Sequence, residues 1–159
     1  MLRRRCAEAG RVAKTVLIGA VPPVIARTGS NPDGIPLEVF DGFRSALVAN
    51  RAQFFHDIPS GPFFGFNRDG ATVRQGQIRN WWRQGTGAKA QCDCIEAFAE
   101  TDFTDDLKAI TLPGLLIHGE DGQIVPIANS AYKAIKLLRN GTLKSYPGLS
   151  HDCSPRIRR

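Results

Sequence analysis

No apolar run in this sequence approaches the roughly 18–20 residues that a helix needs to cross a bilayer. A secretory leader is not evident either. Arg3, Arg4 and Arg5 resemble a basic leader start, but Glu8 and Arg11 interrupt the apolar stretch that should follow. A cytoplasmic protein is expected, with no membrane partner. Cysteine is scarce: Cys6, Cys92, Cys94 and Cys153 are the only four. Cys92-Asp93-Cys94 is too tightly spaced for a zinc knuckle, and on a helix the two side chains point about 200° apart. Reduced thiols and no metal site are expected. Acidic charge is in deficit, giving a net charge of +6. The excess lies in seven arginines at the two ends, at positions 3, 4, 5, 11, 156, 158 and 159, opposed only by Glu8 and Asp152. The rest is close to neutral, so no basic face for nucleic acid is expected.

What is present reads as one folded domain. With 159 residues, 42% hydrophobic and 23% charged, the chain can bury a core and is not of disordered composition. Residues 1–13 form a divergent basic segment with weak helical character. Lys14–Val21 is a continuous apolar run closed by Pro22-Pro23, the pattern of a strand buried on both faces of a parallel sheet. From Leu37 to about Lys108 the pattern turns helical, with Val39, Phe40, Phe43, Leu47 and Val48 near the 3.6-residue period. Pro59 and Ser60-Gly61-Pro62 break it, and helices are predicted over about 72–84 and 88–99. Thr104-Asp105-Asp106-Leu107 reads as a capped helical turn. Leu112–His118 is predicted as the second strand, Ile127–Leu138 as a helix with Asn140-Gly141 as its C-cap, and Thr142–Tyr146 as the third strand. Strand, long helical insertion, strand, helix, strand is an α/β order with parallel strands. No internal repeat is found.

In open α/β sheets, active sites lie at the carboxyl ends of strands. Asp121 follows the second strand and His151 follows the third. An acid and a histidine so placed suit a relay in which the histidine takes a proton from a nucleophile and the carboxylate fixes its tautomer. His118, at a strand end before Gly119, reads as structural, and His56 as an exposed helix residue. The nucleophile is absent. No serine stands in a Gly-x-Ser-x-Gly elbow. The nearest match, Gly148-Leu149-Ser150-His151-Asp152, has only the first glycine. There is also no His-Gly-rich segment whose amides would form an oxyanion hole.

Several segments resemble the cofactor-free (non-heme) haloperoxidase and aryl-esterase family of the α/β-hydrolase fold. They are Val16-Leu17-Ile18-Gly19-Ala20-Val21-Pro22-Pro23, Pro36-Leu37-Glu38-Val39-Phe40-Asp41-Gly42, Gly61-Pro62-Phe63-Phe64-Gly65-Phe66-Asn67-Arg68, Ala97-Phe98-Ala99-Glu100-Thr101-Asp102-Phe103-Thr104-Asp105-Asp106-Leu107, and His118-Gly119-Glu120-Asp121-Gly122-Gln123-Ile124-Val125-Pro126-Ile127. The resemblance runs from about Arg11 to His151. It implies the C-terminal part of an α/β-hydrolase, about three adjacent parallel strands over 14–151, with a helical cap at about 22–111. It implies ester hydrolysis by a Ser-Asp-His triad, and peracid formation from carboxylic acids with hydrogen peroxide. Small esters or carboxylic acids are the implied ligands, with no cofactor. Phe63, Phe64, Phe66, Trp81 and Trp82 of the cap are candidates for an acyl pocket, or for cap–core packing.

The chain departs from the family pattern in three places. The pattern's earlier half, with its elbow and oxyanion segment, would precede Lys14. The family's catalytic aspartate falls at Gly122, beside Asp121. The tail over 152–159 and the first ten residues match neither family end. A chain so built is expected to leave the hydrophobic edge of its first strand open, to self-associate through it, and to be inactive alone.

Overall fold

A computed structural model describes residues 12–71, 73–83 and 87–152. The basic end segments, Cys6 and Cys153 lie outside the described residues. The elements run β1 (Thr15–Ile18), α1 (Leu37–Ala49), α2 (Arg51–Ile58), a π-helical turn (Pro59–Phe63), α3 (Gly76–Trp82), α4 (Ala88–Glu100), α5 (Thr104–Ala109), β2 (Gly114–Gly119), a 3-10 turn (Ile127–Asn129), α6 (Ala131–Leu137) and β3 (Gly141–Tyr146). The sheet is parallel throughout in the order β1-β2-β3, so the three strands are adjacent as the sequence predicts. Among the described residues no helix is long and apolar enough to cross a membrane.

Two large clusters of buried residues hold the molecule, beside a small one of Ile117 and Leu149. The sheet core packs Leu116 of β2 against Leu107, Ile110, Ile127, Ala131, Ala134 and Leu138, so α5 and α6 cover one face of the sheet. The cap core joins Phe40 and Leu47 of α1, Phe55 of α2, Ile95 and Ala99 of α4, and Ile25, Ala26 and Val125. Phe40, Phe43 and Leu47 recur at helical spacing and give α1 its inward stripe. Phe40 meets Phe98 of α4 edge-on at 6.2 Å between ring centroids. Asn50 ends α1 and starts α2, its side chain accepting from the Gln53 N–H at 3.0 Å. Each fully buried phenylalanine or leucine here contributes about 1.5–3 kcal/mol, so the cap is a packed unit and not a floppy insertion.

Four expectations need correction. β1 ends at Ile18 and stands at the sheet edge, with Val16 54% and Ile18 50% exposed, so it is not covered on both faces. A continuous apolar run predicts a buried strand but says nothing about how many neighbours are present. The predicted helix over Ile127–Leu138 is split at Ser130, whose Oγ donates to Pro126 O at 2.9 Å and whose backbone is non-helical. Asn140-Gly141 is not its C-cap. Helix α6 ends at Leu137, and Gly141 opens β3, where a side chain would strike Ile135 and Leu138. At the start of α5 the capping oxygen comes from Asp102, which accepts from the Thr104 N–H at 2.8 Å, and not from Thr104.

Candidate functional site

The site lies at the carboxyl end of the sheet, where three loops meet. β1 is followed directly by Gly19, which has a left-handed φ of +53° and lies against His151. A Cβ placed on Gly19 would stand 3.2 Å from His151 O and 3.3 Å from its Cε1. β2 ends in Gly119, over which the backbone of residues 149–150 crosses. A Cβ there would fall 2.3 Å from Ser150 O and 2.4 Å from Leu149 O, so only glycine fits. The loops after β2 and β3 are tied by three hydrogen bonds. Glu120 N donates to Tyr146 O at 3.0 Å, Asp121 N to Leu149 O at 3.0 Å, and Ser145 Oγ to Glu120 Oε1 at 2.6 Å.

His151 is largely enclosed. Its ring meets Phe63 edge-on at 4.9 Å, and Phe63 lies 4.4 Å from Trp81. Its Nδ1 is buried and has no hydrogen-bond partner. Burial, then the nearby His118, push its pKa down to about 4, against a weaker upward pull from Asp152. A triad histidine needs a carboxylate on one ring nitrogen to fix its tautomer and hold its basicity near the working pH. Among the described residues no carboxylate meets Nδ1.

Asp121 does not supply it. Its carboxylate is exposed, and the residue lines a polar cleft of about 60 Å³ together with Arg68, Gln123 and Ser150. The hydrogen bond from Asp121 N to Leu149 O fixes the turn, and the unpaired Nδ1 shows that Asp121 and His151 are not joined as a relay. The neighbouring Gly122 is the residue buried beside the histidine. A Cβ on it would lie 3.6 Å from His151 Cα, and 3.2 and 3.3 Å from the carbonyl oxygens of Gly119 and Val125. His118 is structural as expected: it is 1% exposed, Nε2 donates to Val125 O at 2.8 Å, and burial lowers its pKa. His56 is exposed on α2.

Beneath His151 the cap encloses an apolar cavity of about 370 Å³. Of the five aromatic residues singled out in the sequence, Phe63 and Trp81 line it. Phe64 is buried behind Phe63, on the side of the polar cleft, and Phe66 packs on Phe64 at 6.3 Å. Trp82 is 50% exposed on an outer surface beside Asn50 and His56. Adjacent helix residues point about 100° apart, so Trp81 and Trp82 cannot share one pocket. Much of the remaining wall comes from Phe40, Phe43, Phe54, Phe55, Phe98 and Ile124, most of them read from the sequence as core or passed over. Their helical spacing was visible, but spacing does not tell a filled interior from a hollow one. Cys92 and Cys94 of α4 are free thiols, and Cys94 reaches the cavity wall.

The chain is 69% identical over 145 residues to a non-heme chloroperoxidase of Burkholderia pyrrocinia, matching 90% of this chain and 52% of that protein. It is 56% identical over 142 residues to a bifunctional esterase/perhydrolase of Acinetobacter calcoaceticus, matching 88% of this chain and 51% of the relative. No family model matches. Among solved structures, a bromoperoxidase from Bacillus anthracis aligns with a TM-score of 0.85 at 28% identity, over 93% of this chain and 54% of the other. The present chain thus resembles non-heme haloperoxidases and an esterase/perhydrolase, and its fold is the C-terminal part of an α/β-hydrolase. An esterase from Exiguobacterium antarcticum, 19% identical with a TM-score of 0.81, shares the fold over 99% of this chain and 58% of its own length. The chain spans about half the length of the curated relatives it matches.

Proposed function

We propose that this chain carries the cap and the histidine arm of a serine-type esterase and perhydrolase for small carboxylic esters or acids. By itself it binds such ligands without turning them over. The observation that carries this reading is His151 on the wall of an aromatic cavity, with its Nδ1 buried and unpartnered. The cavity suits the apolar part of a small ester, and His151 lines it. Two deficits suppress catalysis. No serine stands in an elbow, and a histidine with a pKa of about 4 is a poor base near neutral pH. Support also comes from relatives named as chloroperoxidases and as an esterase/perhydrolase. The sheet portion over 14–151 with its cap at about 22–111 is the functional unit of this reading.

A short aryl ester tests it. The isolated chain and its His151→Ala variant should hydrolyse the ester at the same background rate, while the ester quenches Trp81 fluorescence and Phe63→Ala weakens that quenching. A rate that falls on His151→Ala would overturn the inactive reading. Absence of saturable quenching would remove the cavity as a ligand site. A second reading, a cap-based binding module with no catalytic role in any context, is favoured by Gly122. It requires that restoring a carboxylate there, in the presence of a nucleophile, gives no turnover.

A further inference from the structure

The cap reaches the sheet loops through residues 61–70. Within this flap Phe66 N donates to Gly61 O at 3.0 Å and Arg68 N to Gly65 O at 3.2 Å, so the flap is braced internally. Phe63 lies edge-on to the His151 ring at 4.9 Å, Phe64 is buried, and Asn67 pairs with Gln123 of the loop after β2. That pair is reciprocal. Asn67 Nδ2 donates to Gln123 Oε1 and Gln123 Nε2 to Asn67 Oδ1, both at 3.0 Å. Its two sides differ in what stands behind them. Gln123 adjoins Ile124, which lines the aromatic cavity, and Val125, which is fully buried and accepts from His118 Nε2 at 2.8 Å. Asn67 is exposed, on a stretch that ends at Gly70, where φ is +85° and a Cβ would meet nothing. Packing beneath the flap is incomplete. Ser150 Oγ is buried without a partner, and Gly65 and Ser150 both line the polar cleft of about 60 Å³.

We propose that Asn67 and Gln123 are positioning residues, a carboxamide clasp that holds the flap down and keeps Phe63 on His151 and on the wall of the ligand cavity. Gln123 stands on the fixed side, and the flap follows it. The effect on ligand rests on the functional reading above; the positioning of Phe63 does not. Two neutral amides suit a reversible clasp. Water competes for both groups, so each hydrogen bond has a small net worth, while the reciprocal pair fixes orientation as well as distance. The buried Phe64 anchors the flap more strongly. Losing the clasp therefore loosens Phe63 without unfolding the cap.

The test reads the full chain in two ways: the imidazole proton signals of His151, and Trp81 fluorescence titrated with phenyl acetate. Phe63→Leu first measures how far the Phe63 ring displaces the His151 signals. Asn67→Ala and Gln123→Ala should each remove much of that displacement. Each should also raise the Kd for phenyl acetate about threefold to tenfold, the range of one hydrogen bond's net contribution. The double variant should match either single one, since each change breaks both bonds. Exchanging the two residues, Asn67→Gln with Gln123→Asn, rebuilds a reciprocal pair of the same total length and should restore the parent signals. Unchanged His151 signals in the single variants overturn the proposal. So do single effects that add in the double variant, or an exchanged pair no better than the double alanine. Should an alanine variant fail to fold, Asn67→Asp decides. It keeps the shape, sets an acceptor against Gln123 Oε1, and should give the same loss. If phenyl acetate saturates no variant, the parent included, the ligand reading falls, and the His151 signals still decide on the clasp.

Discussion

The loop after β3 buries a titratable side chain and leaves it unpaired, whereas the loop after β2 buries a glycine and exposes its carboxylate. Both start at the same end of the sheet, and hydrogen bonds between them fix their relative position. The difference shows that two loops tied to each other by hydrogen bonds can treat their polar side chains in opposite ways. His151 occupies a position that an acid should face, Gly122 occupies the facing position, and Asp121 is turned one residue away. The same backbone could hold a working relay or a silent one.

The largest expected effect comes from separating the loops. Gly119→Ala would drive a methyl into the backbone of residues 149–150, with no flexible side chain available to yield. A loss of roughly 3 kcal/mol or more is expected, read as a large fall in the denaturation midpoint and loss of the His151 environment. A variant as stable as the parent would mean that the loops are not held together through this crossing.

Next comes acid. His151 is held below its ordinary pKa, so the unfolded chain binds its proton more readily than the folded one. Stability is therefore fully present above the unfolded value near 6.5 and is lost as pH falls from there to about 4, by on the order of 3 kcal/mol. His151→Gln should flatten the pH dependence of the denaturation midpoint across this window. An unchanged slope would place the titrating group elsewhere.

Gly122→Asp should shrink that slope by a different route. It returns a carboxylate to the face of His151, and an opposite charge at such range raises a histidine by about one to three units. The imidazole signals in a proton titration should move toward the ordinary value. The new Cβ meets two carbonyl oxygens at 3.2 and 3.3 Å, so a cost of about 1 kcal/mol accompanies the shift. A His151 that still titrates near 4 would show that the added carboxylate does not reach it.

The sequence carried the order and direction of the strands because apolar runs, helical stripes and turn residues are local signals. It also carried the placement of His151 and Asp121 at strand ends. It did not carry which of Asp121 and Gly122 faces the histidine. That depends on the bend of a turn set by the crossing over Gly119, a contact between residues some thirty positions apart. Nor could it place the cavity. Phe40 and Phe55 have the spacing of core residues and are buried, yet they also wall a hollow, since a gap in packing depends on many segments at once. Trp81 and Trp82 read as a pair in the chain, but one turns to the cavity and one to the surface. β1 read as a buried strand because its residues are apolar on both sides; the neighbours that would bury it are a property of the assembled sheet.

The smallest expected effect closes the contrast between the loops. Asp121→Asn keeps the backbone N–H that donates to Leu149 O and removes only an exposed charge. A change within about 0.5 kcal/mol is expected, as for surface substitutions away from special features, with the His151 titration left in place. Asp121→Pro is the complementary variant: it deletes that N–H and should destabilise the loop pair by more than the charge removal does. If Asp121→Asn instead lowered the His151 pKa further or cost as much as the proline, the carboxylate would be acting on the histidine after all. The division between an exposed acid and a buried, unserved base would then fail.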